Sequence, residues 1–307
     1  LNAVVEIPEE AEGVEGSSIY LQAGEHMTLK ELLLGLMLHS GNDAAVAVAV
    51  DIAGSVEAFC ALMNERAQEL GAANTHFVNP NGLPNDEHYT TAEDYAKIAA
   101  AAMKNPDFRE IVSTASAVIP NEFQEWDRQL TNKNKLLSSY EGATGVKTGY
   151  TKAAGKCFVG SAEREGLELL TVVLHASDTY ADTKALLDYG FAAYAPETAV
   201  QAGEVVGSIP IEKSTQKTLE VRAKDDIVVP LAEGEQAEVK VELAPKLAAP
   251  VAEGTAVGTV EVWVEGVCLA EQTLVCAQRI EPASVWDYLR ALAKEWLDSG
   301  LFRSNAA

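Results

Sequence analysis

Three helix signals follow one another between Thr28 and Gly71, and they commit the first part of the chain to helices packed on a common core. Thr28-Leu-Lys-Glu31 has the spacing of a capping box, in which the threonine hydroxyl and the glutamate carboxylate satisfy free amides at a helix start. The helix it predicts carries Leu32, Leu33, Leu36 and Met37 and breaks at Ser40-Gly41-Asn42-Asp43. With Asn42 or Asp43 as cap, a second helix runs from Ala44 to Ala53, and its unbroken alanine and valine content requires burial on nearly all sides. Ser55 caps a third, with Phe59, Leu62, Met63, Ala67 and Leu70 at helical spacing until Gly71. After a loop rich in Asn, Pro and Gly, Thr91 and Asp94 open a fourth, which stops before Pro106.

From about Val112 the pattern becomes shorter and β-branched. Strands are expected at Val146 to Thr151, Cys157 to Ala162 and Leu167 to Leu174, with a turn at Glu163 to Gly166 and a closing helix from Tyr180 to Tyr189 that ends at Gly190. Helices followed by antiparallel strands define an α+β body. Beyond Ala195-Pro196-Glu197 short strand-like runs alternate with Gly, Pro and Asp, as in a small β-sandwich. Ser284 to Asp298 then returns to helical period, with Trp286, Leu289, Ala293, Trp296 and Leu297 on one side. The expected domains are therefore 1–196, 197–282 and 283–307, the last an amphipathic helix.

At 307 residues, 48% hydrophobic and 22% charged, the composition is that of a folded globular protein of two domains. Lysine and arginine number 23 against 46 acids, and the resulting charge of −23 repels phosphate backbones, which counts against nucleic acid as a partner. No run of about 18 apolar residues is present to span a membrane. The cysteines Cys60, Cys157, Cys268 and Cys276 and the five histidines show no metal-ligand spacing, and no cofactor motif or Gly-x-Ser-x-Gly elbow occurs. Cys268 and Cys276 leave two readings open, a disulfide across a hairpin and two separate buried thiols, of which the second is simpler.

Ser40-Gly41-Asn42 at the junction of two helices and Lys147-Thr148-Gly149 on a later strand are each ordinary alone: the first as caps, the second as an edge strand. Together, in this order and context, they are two of the three signatures of penicillin-recognising serine enzymes. Gly16-Ser-Ser-Ile-Tyr-Leu21, Ser40-Gly-Asn-Asp-Ala-Ala45, Asn74-Thr-His-Phe-Val-Asn-Pro80 and Gly145-Val-Lys-Thr-Gly149 resemble the low-molecular-weight D-alanyl-D-alanine carboxypeptidases over nearly the whole length. The resemblance implies a β-lactamase/transpeptidase-like domain followed by a β-rich domain and a membrane-surface helix. It also implies removal of the terminal D-alanine from a peptidoglycan stem peptide through an acyl-enzyme, acylation by β-lactams, no cofactor, and a secreted, peripherally membrane-associated protein.

By the same resemblance Ser40 relays a proton to the leaving amine and Asn42 donates to the substrate backbone. Lys147 and Thr148 take the terminal carboxylate beside Gly149, and the Tyr150 amide contributes to the oxyanion hole. Two positions depart from the family pattern: Tyr150 stands where histidine is usual, and Lys133 of Asn132-Lys133-Asn134 stands where relatives often have arginine. The third signature, Ser-x-x-Lys, supplies the nucleophile and its base, and none precedes Ser40. Leu1 is not an initiator methionine and the chain opens in a strand-like run, Ala3 to Ile7. The expectation is an N-terminally incomplete domain, inactive by itself. Ser214-Thr-Gln-Lys217 fits the letters of that signature but lies in the β-rich segment, after the other two. A binding module without a nucleophile and a β-lactamase of the same superfamily are the alternatives.

Overall fold

The computed structural model describes residues 1–298 and divides into two compact units, Leu1–Ala192 and the chain from Ala193 onward. In the first, β1 (Val4–Glu6) pairs antiparallel with β2 (His26–Thr28), which leads directly into α1 (Leu29–His39). Both halves of the capping box form: the Glu31 amide donates to the Thr28 hydroxyl at 3.2 Å, and the Thr28 amide donates to the Glu31 carboxylate at 2.7 Å. Thr28→Ala is expected to cost about 1 kcal/mol of stability, measured by urea denaturation.

α2 (Asn42–Ala53) and α3 (Val56–Glu69) follow. Asn42 and Asp43 do not cap α2 as expected. Gly41 holds that position with no side-chain bond, and Asp43 is turned to an earlier loop. Ala44 to Ala49 are all buried, and Ala44, Val46, Ala47 and Val48 share a core with Ile19, Leu21, Leu32 and Leu38. α4 (Ala92–Met103) is capped by Thr91. α5 (Pro106–Ser113) was not expected, although its signal is complete: the Asn105 side chain accepts from the amides of Asp107 and Phe108, and Pro106 fills the first turn.

A hairpin of β3 (Ser116–Ile119) and β4 (Arg128–Thr131) and the short α6 (Leu136–Ser139) precede an antiparallel sheet of β5 (Ala143–Thr151), β6 (Gly155–Arg164) and β7 (Leu167–Ala176). Alternation along β6 assigns its two faces: Val159 packs with Ala99, Met103 and Val112, whereas Phe158 and Ala162 pack with Leu136 and Leu187. The sheet thus lies between α4 and α5 on one side and α7 (Thr179–Ala193) on the other. α7 continues through Gly190, the expected stop, because that position is a contact: a Cβ there would stand 2.6 Å from the Leu169 side chain.

The second unit contains β8 (Tyr194–Val200), β9 (Val205–Glu212), β10 (Thr218–Arg222), β11 (Ile227–Ala232), β12 (Glu238–Leu243), β13 (Leu247–Ala248), β14 (Ala256–Val264) and β15 (Val267–Val275). They form sheets ordered β10-β9-β13, β11-β8 and β12-β14-β15 around Ile209, Leu219, Val229, Val260, Val262 and Leu274. The disulfide reading fails here, and of the two separate thiols only Cys276 is buried, Cys268 being exposed. Cys268 and Cys276 lie along one extended segment and not across the β14–β15 turn, so eight residues of extended chain separate them by roughly 27 Å. Ser214 and Lys217 lie in the bend between β9 and β10, not on a strand, and the Ser214 hydroxyl donates to the Glu281 carbonyl at 2.9 Å.

α8 (Val285–Asp298) starts from a Ser284–Asp287 box, whose hydrogen bonds hold the Asp287 carboxyl below its usual pKa. It leaves Trp286, Leu289, Leu292 and Trp296 exposed. The expected terminal stretch beyond it, 299–307, lies outside the described residues.

Candidate functional site

Ser40 owes its position to a tight turn between α1 and α2. α1 ends at His39, and Ser40 takes a left-handed conformation with φ 62° and ψ 41°. The next residue must be small, since a Cβ on Gly41 would sit 2.9 Å from the Asp43 carboxylate and 3.4 Å from the Gly35 carbonyl. α2 then starts at once, so the Ser40 hydroxyl projects from a corner between two helices instead of entering the core. A non-glycine residue held in this region is strained and marks a place where surrounding structure imposes the geometry.

Lys147 approaches that corner from β5, paired with Val159 of β6 and therefore on the α4–α5 side of the sheet. Its ammonium donates to the Ser40 hydroxyl and, at 2.9 Å, to the Thr148 carbonyl. No carboxylate pairs with Lys147 among the described contacts, and burial, reinforced by the positive charge of Lys133, pushes its pKa down to about 8.

Lys133 is the second cation of the site. Its backbone amide donates to the Leu38 carbonyl at 3.1 Å, and its ammonium donates to the Ser17 hydroxyl at 3.3 Å. Burial lowers its pKa as well. The flanking asparagines form the turn that presents it: Asn132 donates to the carbonyls of Val112 and Thr114 and accepts from the Asn134 amide, and Asn134 accepts from the Leu136 amide. His39, at the end of α1, has its pKa lowered by burial and then by Lys133. In a chain of net charge −23, two lysines held within each other's field make a local site for an anion.

Asn42 does not share the Ser40–Lys147 contact. Its side-chain nitrogen donates to the Glu15 carbonyl at 2.6 Å and its backbone amide to the Ser17 carbonyl at 2.8 Å, so it fixes the loop that meets Lys133. Thr148 is half-buried, and the space above Gly149 is open, with no atom within 4 Å of where a Cβ would stand. Tyr150 is exposed. β5 is an edge strand in the order β5-β6-β7, so its outer backbone groups can pair with an extended peptide.

Sequence reasoning left Ser17, Asp43 and Arg128 without a role at the site. The Asp43 carboxylate, 1% exposed, accepts from the Ser18 hydroxyl at 2.6 Å, the Ile19 amide at 3.0 Å and the Leu21 amide at 3.1 Å. Arg128, buried against Glu25, donates to the carbonyls of Ile19, Tyr20 and Pro120. The only signal for Asp43 was its place in the Ser-Gly-Asn-Asp block; nothing local marks its partners 22 to 25 residues earlier.

Residues 1–178 match the family described as D-alanyl-D-alanine carboxypeptidase, and residues 194–282 match the C-terminal domain of penicillin-binding protein 5. The chain is 34% identical over 298 residues to the D-alanyl-D-alanine carboxypeptidase DacF of Bacillus subtilis, covering 95% of this chain and 76% of that protein. It is 28% identical over 302 residues to DacA of Escherichia coli, covering 92% and 72%. Among solved structures, PBP3 from Streptococcus pneumoniae superposes with a TM-score of 0.73 at 26% identity, covering 92% of this chain and 86% of that one. Penicillin-binding protein 5 from Haemophilus influenzae gives 0.65 at 28% identity, covering 91% and 83%. A serine at a strained helix corner, a lysine of lowered pKa brought to it from an edge strand, and these matches along both units lead to one assignment: the chain belongs to the D-alanyl-D-alanine carboxypeptidase family.

Proposed function

We propose that Ser40, Lys147 and Thr148 form the proton-relay and carboxylate-binding part of a serine-type D-alanyl-D-alanine carboxypeptidase site. It acts on peptidoglycan stem peptides outside the cytoplasm and binds β-lactams, which share the terminal carboxylate. The observation that carries this reading is the Ser40–Lys147 hydrogen bond with Lys133 beside it. In the reaction, a serine oxygen bonds to the carbonyl carbon of the penultimate D-alanine and the C–N bond to the terminal D-alanine breaks. The proton released by the attacking serine passes to the lysine of its Ser-x-x-Lys element and, through the Ser40 hydroxyl, to the departing amine, and water then cleaves the ester to release the shortened peptide and restore the serine. Thr148 and Lys147 hold the terminal carboxylate, the substrate backbone pairs with the outer edge of β5 over Gly149, and the Tyr150 amide faces the developing oxyanion. Asn42 contributes by holding the 15–17 loop and, once a peptide is bound, by donating to it.

The acyl-accepting serine of this family stands in a Ser-x-x-Lys element, so the relay is tested in a polypeptide that carries that element ahead of these residues. Ser40→Ala is expected to lower kcat for D-alanine release about 10²- to 10⁴-fold with KM changed by no more than a few fold. An unchanged kcat contradicts the relay.

Functionally we divide the chain into a catalytic part (1–196), a β-rich part (197–282) and a membrane-surface segment (283–307) that includes α8. The exposed Trp286, Leu289, Leu292 and Trp296 of α8 support that last role, since a helix with an unburied apolar face and two tryptophans suits the headgroup boundary. Removing 283–307 is expected to abolish co-sedimentation with phospholipid vesicles; unchanged co-sedimentation refutes the anchor.

A further inference from the structure

Tyr20 stands out among the residues with positive φ, at 60°, because its ring is 76% exposed while its backbone is held by two buried charges. Its own amide donates to the Ser18 hydroxyl at 2.8 Å, and that hydroxyl is bound by Asp43. The preceding amide, of Ile19, goes to Asp43, and the carbonyls of Ile19 and Tyr20 accept from Arg128. Thus an acid of α2 holds the donors of this short loop and a guanidinium of β4 holds its acceptors. The strained backbone is over-determined from inside the core, and what it carries into solvent is one aromatic side chain. A β-turn does not explain it, as the Gly166- and Gly266-containing hairpin turns explain the positive φ of Glu165 and Glu265.

The backbone of Tyr20 is also close to the site along the chain. Three residues separate Tyr20 from Ser17, whose hydroxyl accepts from Lys133, so Tyr20 lies within roughly 10 Å of that residue along the chain. A peptide whose C-terminal carboxylate rests on Lys147 carries its third residue from the end within a similar span. The loop is bordered by acids: the Glu12 carboxylate accepts from the Ala23 amide and the Glu122 carboxylate from the His26 amide.

Resting on the carboxypeptidase reading of the site, we propose that Tyr20 is a specificity-determining residue. Its ring packs on the long aliphatic side chain of the residue preceding the D-Ala-D-Ala pair, and that side chain ends in an ammonium directed to the acidic border. An aromatic side chain on a fixed backbone has only two torsions to lose on covering such a stem, and the carboxylates favour its charged end.

The test measures binding of Nα-acetyl-Lys-D-Ala-D-Ala and Nα-acetyl-Gly-D-Ala-D-Ala by calorimetry to the full chain, to Tyr20→Gly and to Tyr20→Phe. Tyr20→Gly relieves the strained backbone while removing the ring, so it keeps the fold; Tyr20→Phe keeps the ring. The unmutated chain is expected to prefer the lysine peptide about 3- to 10-fold, Tyr20→Phe to retain that preference, and Tyr20→Gly to lose it while binding the glycine peptide as before. A preference surviving in Tyr20→Gly, or an equal loss on both peptides, overturns the assignment of Tyr20 and leaves the carboxylate site standing. Failure of both peptides to bind the unmutated chain overturns the site reading and this inference together.

Discussion

Arg128→Met is expected to destabilise the first unit by about 3–5 kcal/mol, because it strands a buried carboxylate and three carbonyls at once. Glu25 is 0% exposed and Arg128 4%, and they meet through a fork with bonds of 2.6 and 2.8 Å. The remaining donors of the guanidinium reach Ile19 at 2.8 Å, Pro120 at 2.8 Å and Tyr20 at 3.1 Å. One side chain therefore ties β4 to the loop that precedes α1. The double change Glu25→Leu with Arg128→Met is expected to recover a substantial part of the loss, since no unpaired charge remains. Urea denaturation followed by circular dichroism checks both, and a single variant costing less than about 1 kcal/mol contradicts this account of the clamp.

Lys147→Met is expected to have the opposite sign on stability and to remove binding. A lysine whose pKa falls from 10.5 to about 8 on folding penalises the folded state by up to about 3 kcal/mol at neutral pH, less the contribution of its hydrogen bond to Ser40. The sign follows from proton counting. Below pH 8 both folded and unfolded states carry the proton and the penalty is complete. Between pH 8 and 10.5 the unfolded chain binds more protons than the folded one, so stability rises with pH. In Lys147→Met that rise should vanish, and the variant should be more stable than the parent at pH 7 by about 1–3 kcal/mol. At the same time its affinity for a peptide carboxylate should fall by about 2 kcal/mol or more, because a charged partner has been deleted. A residue that costs stability and contributes affinity is what a binding site, not a structural ion pair, requires.

The helices of the first unit were legible because their signals are local. Thr28, Ser55 and Thr91 each declare a start within three residues, and the structure uses all of them as caps. Asn105-Pro106 declares one equally well, but a proline after a helical run also reads as the end of α4, and that ambiguity hides α5. Gly190 was misread for the converse reason: a glycine that serves a contact with Leu169 looks, in one dimension, like a glycine that ends a helix. The same limit applies at the site. Ser40 and Lys147 lie 107 residues apart, and Glu25 and Arg128 lie 103 apart. No period links such pairs, and Ser40 with Lys147 was found through the resemblance of two short blocks to a family. Asp43 shows what that route omits. It follows Ser40-Gly41-Asn42 where a helix cap is expected, yet its partners are the amides of a loop that the strained Tyr20 occupies.

The most direct test of the central claim is the pH dependence of carboxylate binding at Lys147. Calorimetric titration of Nα-acetyl-Lys-D-Ala-D-Ala and of its C-terminal amide into the chain is expected to show binding of the acid only. Above pH 8, where Lys147 loses its charge, Kd should rise by about ten-fold per pH unit, and Lys147→Met should show neither the binding nor the slope. Equal affinity for acid and amide, or a Kd that is flat from pH 7 to 10, would contradict it.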